Sequence, residues 1–178
     1  MKTLGKQITS GAEILAEVIE IEKHLHNHEK WFGDAASSSA ETHHADRMNG
    51  TIASFDLTSG TSAFNSTWTQ VLGSTDTPVE AGKTKFDLHR IIVIDTDSTL
   101  PFIVQIVTGE SGDIAAKISS EDFTEFPYVA ASNNIDSGIS DVIDVKSDAG
   151  TKVWMRCACV GATGKIIKLY FGLHEYDE

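Results

Sequence analysis

Lys152-Val153-Trp154-Met155-Arg156-Cys157-Ala158-Cys159-Val160-Gly161-Ala162-Thr163-Gly164-Lys165-Ile166-Ile167-Lys168-Leu169-Tyr170-Phe171-Gly172-Leu173-His174 is the stretch from which the fold can be read. Two runs rich in β-formers, Lys152–Val160 and Ile166–His174, flank a short loop carrying Gly161 and Gly164, which is the pattern of a β-hairpin. Side chains alternate across a strand, so Ile167, Leu169, Phe171 and Leu173 share one face while Ile166, Lys168, Tyr170 and Gly172 share the other. In the first run Val153, Met155, Cys157 and Cys159 oppose Trp154, Arg156, Ala158 and Val160. Neither of those faces is polar enough to be simply solvated. A strand apolar on both sides is covered on both, by a second sheet of its own chain or by another subunit.

Outward from this hairpin the same signature repeats. Thr51–Leu57, Thr67–Leu72, Thr84–Ile94, Phe102–Thr108, Tyr128–Ala131 and Ile139–Asp144 are further predicted strands, and Ile114–Ser120 fits a short helix or another strand. About eight strands at this spacing is the density of a β-sandwich or jelly roll.

Ahead of the strands the period changes. Ser10-Gly11-Ala12-Glu13 has the spacing of a capping box, and Gly33 is a natural left-handed stop, so a long helix is predicted between them. Ile14, Val18, Ile21, Leu25, His28 and Phe32 recur at alternating spacings of four and three, a heptad-like seam widened by Leu15 and Ile19. Such a seam serves a short coiled coil, with isoleucine-rich core positions leaning toward trimers, or lies on its own body or a partner. The small residues Ala35–Ala40 read as a linker. The expected organisation is therefore a helical arm and linker over residues 1–40 and a β-sandwich domain over 41–178.

The chain of 178 residues carries 14 Lys plus Arg against 26 Asp plus Glu, a net charge of −12. That balance argues against nucleic-acid binding and against docking on an anionic membrane, both of which need clustered cations. No apolar run is long enough to span a bilayer and Met1–Ser10 lacks a signal-peptide core, so a soluble protein made in a cytoplasm is expected.

Candidate chemistry is sparse. Cys157 and Cys159 point to one strand face about 7 Å apart, too far to bridge each other easily, and without a second pair they make no zinc site. His24 and His28 are four apart on the predicted helix, the geometry by which two imidazoles hold one ion, and in a parallel trimer His28 would meet its copies at the axis. Lys23, Asn27, Glu29 and Lys30 around them equally suit a polar seam or surface. Asp95–Thr99 lacks the glycine and distal glutamate of a calcium loop and reads as a polar turn. Asn65-Ser66-Thr67 matches a glycosylation acceptor by chance, and no nucleophile elbow or phosphate-cradling loop is present. Trp31, Trp68 and Trp154 are read as core or interface anchors rather than sugar platforms. No enzyme and no cofactor is expected.

Three stretches carry a resemblance: Glu20–Gly33, Glu121–Tyr128 and Leu169–Tyr176 resemble segments of small virion structural proteins of tailed bacteriophages. The resemblance implies a capsid decoration or cement protein, homotrimeric and of jelly-roll type, assembled in the bacterial host cytoplasm and residing in the virion. Its implied partners are further copies of itself and the major capsid protein or another virion protein. A glycan- or host-binding head of a tail fibre or baseplate is the alternative. The resemblance assigns no functional residue; the interface positions expected from the N-terminal helix are Ile14, Val18, Ile21, Leu25, His28, Trp31 and Phe32.

Overall fold

Alternating burial along two long strands organises the structure. The computed structural model describes residues 29–34, 45–47, 53–60, 63–73, 83–130, 139–141 and 147–176. Within these the strands are β1 (Glu29–Asp34), β2 (Ala45–Arg47), β3 (Phe55–Thr58), β4 (Thr69–Leu72), β5 (Lys85–Thr96), β6 (Phe102–Thr108), β7 (Thr124–Tyr128), β8 (Ile139–Asp141), β9 (Ser147–Asp148), β10 (Val153–Cys159) and β11 (Ile166–Tyr176). One short helix, α1 (Ile114–Ser119), links β6 to β7.

The strands form two antiparallel sheets, one ordered β2-β1-β11-β5-β8 and the other β4-β10-β6-β7. In the first, β3 joins β11 and β9 joins β5. β1 pairs with residues 171–174 of β11 and β3 with residues 166–169, so these two short strands lie end to end along one edge of β11. Phe32, Phe55, Leu88, Ile91, Leu169 and Phe171 of one sheet and Val104, Ile106, Met155, Cys157 and Cys159 of the other belong to a single buried cluster, so the sheets pack face to face. Cys157 Sγ donates across this core to the Leu57 carbonyl at 3.4 Å.

The C-terminal hairpin forms as its alternation predicts: Val153, Met155, Cys157 and Cys159 are buried, as are Ile167, Leu169, Phe171 and Leu173. β6 has the predicted bounds, and Ile114–Ser119 is helical. β7 instead ends at Tyr128 where a strand was predicted to begin. Because β7 is the outermost strand of its sheet among the described residues, Pro127, which has no N–H to give a ladder, is accommodated there.

The N-terminal expectation needs a larger correction. A helix reaching Phe32 does not form at that end, because Glu29–Asp34 is strand β1 and pairs with β11 from Glu29 opposite His174 to Phe32 opposite Phe171. Phe32 is fully buried, its ring stacked on Phe171 at 5.9 Å, and Phe171 stacks in turn on Phe55 at 5.1 Å. A heptad count registers an apolar residue without knowing its partner, and here a three-ring row offers Phe32 more burial than a seam would. The β-body thus includes Glu29–Asp34, ahead of the boundary expected at residue 41. Residues 10–28 of the predicted helix lie outside the described residues.

Two glycines are fixed by close approach. A Cβ on Gly172 would lie 2.6 Å from Glu29 Oε1, so only glycine leaves room for that side chain to lie across β11. At Gly60 a Cβ would sit 2.8 Å from the Phe64 carbonyl oxygen.

Candidate functional site

The outward face of the β4-β10-β6-β7 sheet carries two apolar rows. Ladder register places Ala158 of β10 opposite Ile103 of β6, and Ile103 opposite Pro127 of β7. One step beyond the strands, the Val160 N–H donates to the Pro101 carbonyl at 2.8 Å, and Val129 follows Tyr128, which pairs with Phe102. The rows Ala158–Ile103–Pro127 and Val160–Pro101–Val129 are therefore stacked at this end of the sheet, with the intervening row, Cys159–Phe102–Tyr128, facing the core; Ala158 is itself buried and Ile103 and Pro101 are half-buried, so Pro127, Val129 and Val160 are the exposed members. The large apolar side chains left exposed among the described residues are Leu100, Val129 and Val160, at 40%, 64% and 52%, and all three sit at this end.

On the other side of the patch stands a polar row on the same strands. Arg156 Nε donates to Gln105 Oε1 at 2.8 Å, and Gln105 Nε2 donates to Glu125 Oε1 at 2.8 Å. The Arg156 guanidinium also lies 4.3 Å from the Trp68 ring centre and 5.0 Å from that of Phe64. Burial pulls this guanidinium below its ordinary value, yet an arginine so placed remains charged at neutral pH. The row thus reads cation, neutral amide, anion from β10 to β7. Beyond it Trp154 lies opposite Val107 and its indole N–H donates to the Gly109 carbonyl at 2.9 Å. An apolar centre bounded by satisfied polar groups is the anatomy of a protein-docking surface.

No protein-family model matches the chain, and no curated protein does. The assignment therefore rests on the residues themselves.

The other sheet carries a charged cluster on its outward face. Where β5 pairs with β11, Arg90 lies opposite Gly172 and Leu88 opposite Leu173, leaving His89 as an extra residue. That irregularity lets two successive residues reach one carboxylate: His89 Nδ1 lies 3.5 Å from Glu29 Oε1, and Arg90 Nη1 donates to Glu29 Oε2 at 3.1 Å. The His89 and His174 rings stack at 4.0 Å, His174 Nδ1 lies 3.6 Å from Asp87 Oδ1, and the Tyr176 hydroxyl donates to Asp87 Oδ2 at 2.6 Å. These contacts join β1 to β5 and β11 across the ladder. Among the described residues no group of three or more His, Cys, Asp or Glu side chains is arranged to hold a metal ion.

The sequence-predicted residues fall in different places. Ile14, Val18, Ile21, Leu25 and His28, with His24, lie outside the described residues. Trp31 is half-buried on β1, while Phe32 is core. Cys157 and Cys159 are buried free thiols, and burial, reinforced by the neighbouring Cys159, pushes Cys157 up to about 12, which leaves it an unreactive thiol at neutral pH. Asp95 and Thr96 belong to β5, paired with Lys168 and Ile167, so the expected turn holds only from Asp97, whose Oδ1 accepts from the Ile166 N–H at 2.8 Å and ties it to β11. Asn65 is likewise a turn residue, accepting from the Thr67 N–H and donating to the Thr58 carbonyl, both at 2.9 Å.

The apolar face was half legible. Trp154, Arg156, Ala158 and Val160 were marked as a surface needing cover, but Pro101, Ile103, Pro127 and Val129 were not. Their signal was the outward set of β6, where Ile103 and Val107 bracket Gln105.

Proposed function

We propose that the protein is a structural component of a tailed-phage virion, a jelly-roll-type homotrimer that decorates the capsid and cements its shell. The observation that carries this reading is the pair of apolar rows on the outward face of β10, β6 and β7, which supplies a surface for protein contact without catalysis. The resemblance of Glu20–Gly33, Glu121–Tyr128 and Leu169–Tyr176 to phage virion proteins gives that contact its setting. Binding of this kind works by burying apolar surface between neighbouring subunits, with three copies multiplying weak contacts into firm attachment. The attachment-protein alternative draws less support, because Trp68 is occupied by Arg156 and the Trp154 indole by Gly109.

The test is native mass by light scattering, with co-sedimentation on empty capsids, for the wild type and for Ile21→Asp/Leu25→Asp. A trimer that binds shells, and a variant that loses trimer or shell binding with its β-body still folded, is the expected outcome. Unchanged assembly of the variant removes the N-terminal seam from the argument. Binding on a glycan array with no affinity for shells would overturn the decoration reading.

A further inference from the structure

We propose that the apolar face of β10, β6 and β7 is a self-association surface, whose occupant is the same face of a second copy related by a two-fold axis running along β6. This inference rests on the reading of that face as a protein-docking surface and names its partner.

The polar row carries Arg156 on β10, Gln105 on the central strand β6 and Glu125 on β7. A two-fold axis in the plane of the interface and parallel to β6 lays β10 of one copy over β7 of the other and keeps each row at its own height. Arg156 then faces Glu125 of the partner copy twice over, and Gln105 faces its own counterpart. The apolar rows obey the same operation: the half-buried Ile103 meets its counterpart and Val160 meets Val129, while Ala158, buried in its own chain, lies beneath Pro127 of the other copy. An isologous contact requires this self-complementarity. The other in-plane axis, across the strands, sets charges over apolar rows or over their own kind. Aligned sheet packing with a crossing near 30° is the ordinary geometry for two such faces.

Charge and edge chemistry agree. The chain carries a net charge of −12, yet loop residues 98–101, 129–130 and 160–164 at this end carry no ionisable side chain, so copies approach there with least repulsion. The outer edge of β7 is a poor template for strand addition, since Pro127 has no N–H to offer and Glu125 adds charge. Three strands and three rows span at most roughly 300 Å² per copy, less where Ala158 and Gln105 are already buried, against about 800 Å² in a standard interface, so the contact is weak.

The experiment is sedimentation equilibrium of the full chain from micromolar to millimolar concentration at physiological ionic strength. The expected result is a mass that rises with concentration above its dilute value. Glu125→Arg, at an exposed site, turns two attractions into two repulsions and lowers the association constant about 10-fold, an effect that high salt reduces. Val129→Asp lowers it at least as much, and salt does not restore it. Mixing Glu125→Arg with Arg156→Glu restores both ion pairs, so the mixture associates about 10-fold more tightly than either variant alone; if Arg156→Glu fails to fold, the salt contrast between the other two variants carries the test. A mass independent of concentration, or a Glu125→Arg variant that associates like wild type, overturns the proposal. Were Val129→Asp then to lose capsid binding, the face would belong to the shell and only self-association would fall; if it bound capsids unchanged, the docking reading of this face would fall as well.

Discussion

Replacing Phe32 by Ala separates the two roles this residue was given. In the structure its ring is fully buried and stacks on Phe171 at 5.9 Å in a row that continues to Phe55. Losing the ring forfeits a transfer term of about 2 kcal/mol. The residual cavity adds about 1–2 kcal/mol and the lost stacking about 0.5–1 kcal/mol. The expected cost is therefore about 4 kcal/mol, a large share of the ~5–15 kcal/mol that holds a domain folded. With a urea m-value near 2 kcal/mol/M, the midpoint should fall by about 2 M. The assay is equilibrium urea unfolding followed by intrinsic fluorescence, with native mass measured on the folded protein. A midpoint shift under about 0.5 M, accompanied by a drop in native mass, would refute the reasoning and return Phe32 to a helical seam.

Gly172→Ala should destabilise by about 1–3 kcal/mol, because its Cβ would sit 2.6 Å from Glu29 Oε1 and displace the carboxylate from Arg90; adding Glu29→Ala should cancel most of that penalty in a double-mutant cycle. Cys157 should impose an alkaline limit on stability. Its folded value is raised from 9.0 to about 12, so above pH 9 the unfolded chain has lost a proton that the folded chain retains. The contribution is intact below pH 9 and falls by about 1.4 kcal/mol per pH unit from there toward pH 12, and Cys157→Val should flatten that slope in urea titrations at stepped pH.

Legibility followed local pattern. The hairpin of β10 and β11 could be read because alternation fixes which side chains meet the core, and Val153, Met155, Cys157 and Cys159 all do. β6 was equally plain. The bounds of β7 were not legible, because a strand holds Pro127 only at a sheet edge, and edge position is a property of the whole sheet. Phe32 misled more seriously: a spacing of four and three counts apolar residues without their partners, and only the row of Phe171 and Phe55 shows that this aromatic belongs to a strand. The Glu29 cluster was illegible for a related reason, as an irregular ladder brings His89 and Arg90 to one carboxylate and Gly172 makes room for it. The docking face depended on register, because Ala158, Ile103 and Pro127 become neighbours only when three strands are aligned.

A weak face is what a shell-coating protein requires. A two-fold contact by itself closes at a dimer, and a three-fold seam closes at a trimer; a chain that possesses both generates an open network, each trimer offering three faces to three others. If that face bound tightly, the protein would polymerise in free solution before reaching any shell. A weak contact is instead empty in dilute solution and fills at the roughly millimolar effective concentrations reached by neighbours held on one surface. The net charge of −12 works in the same direction, since it keeps free copies apart while short-range apolar contact still acts between copies already placed side by side. Weak pairing at β10, β6 and β7 and strong overall coating are thus compatible, and each demands that the other oligomeric contact lie elsewhere on the chain. The N-terminal seam of Ile14, Val18, Ile21 and Leu25 is the segment whose pattern suits that second contact.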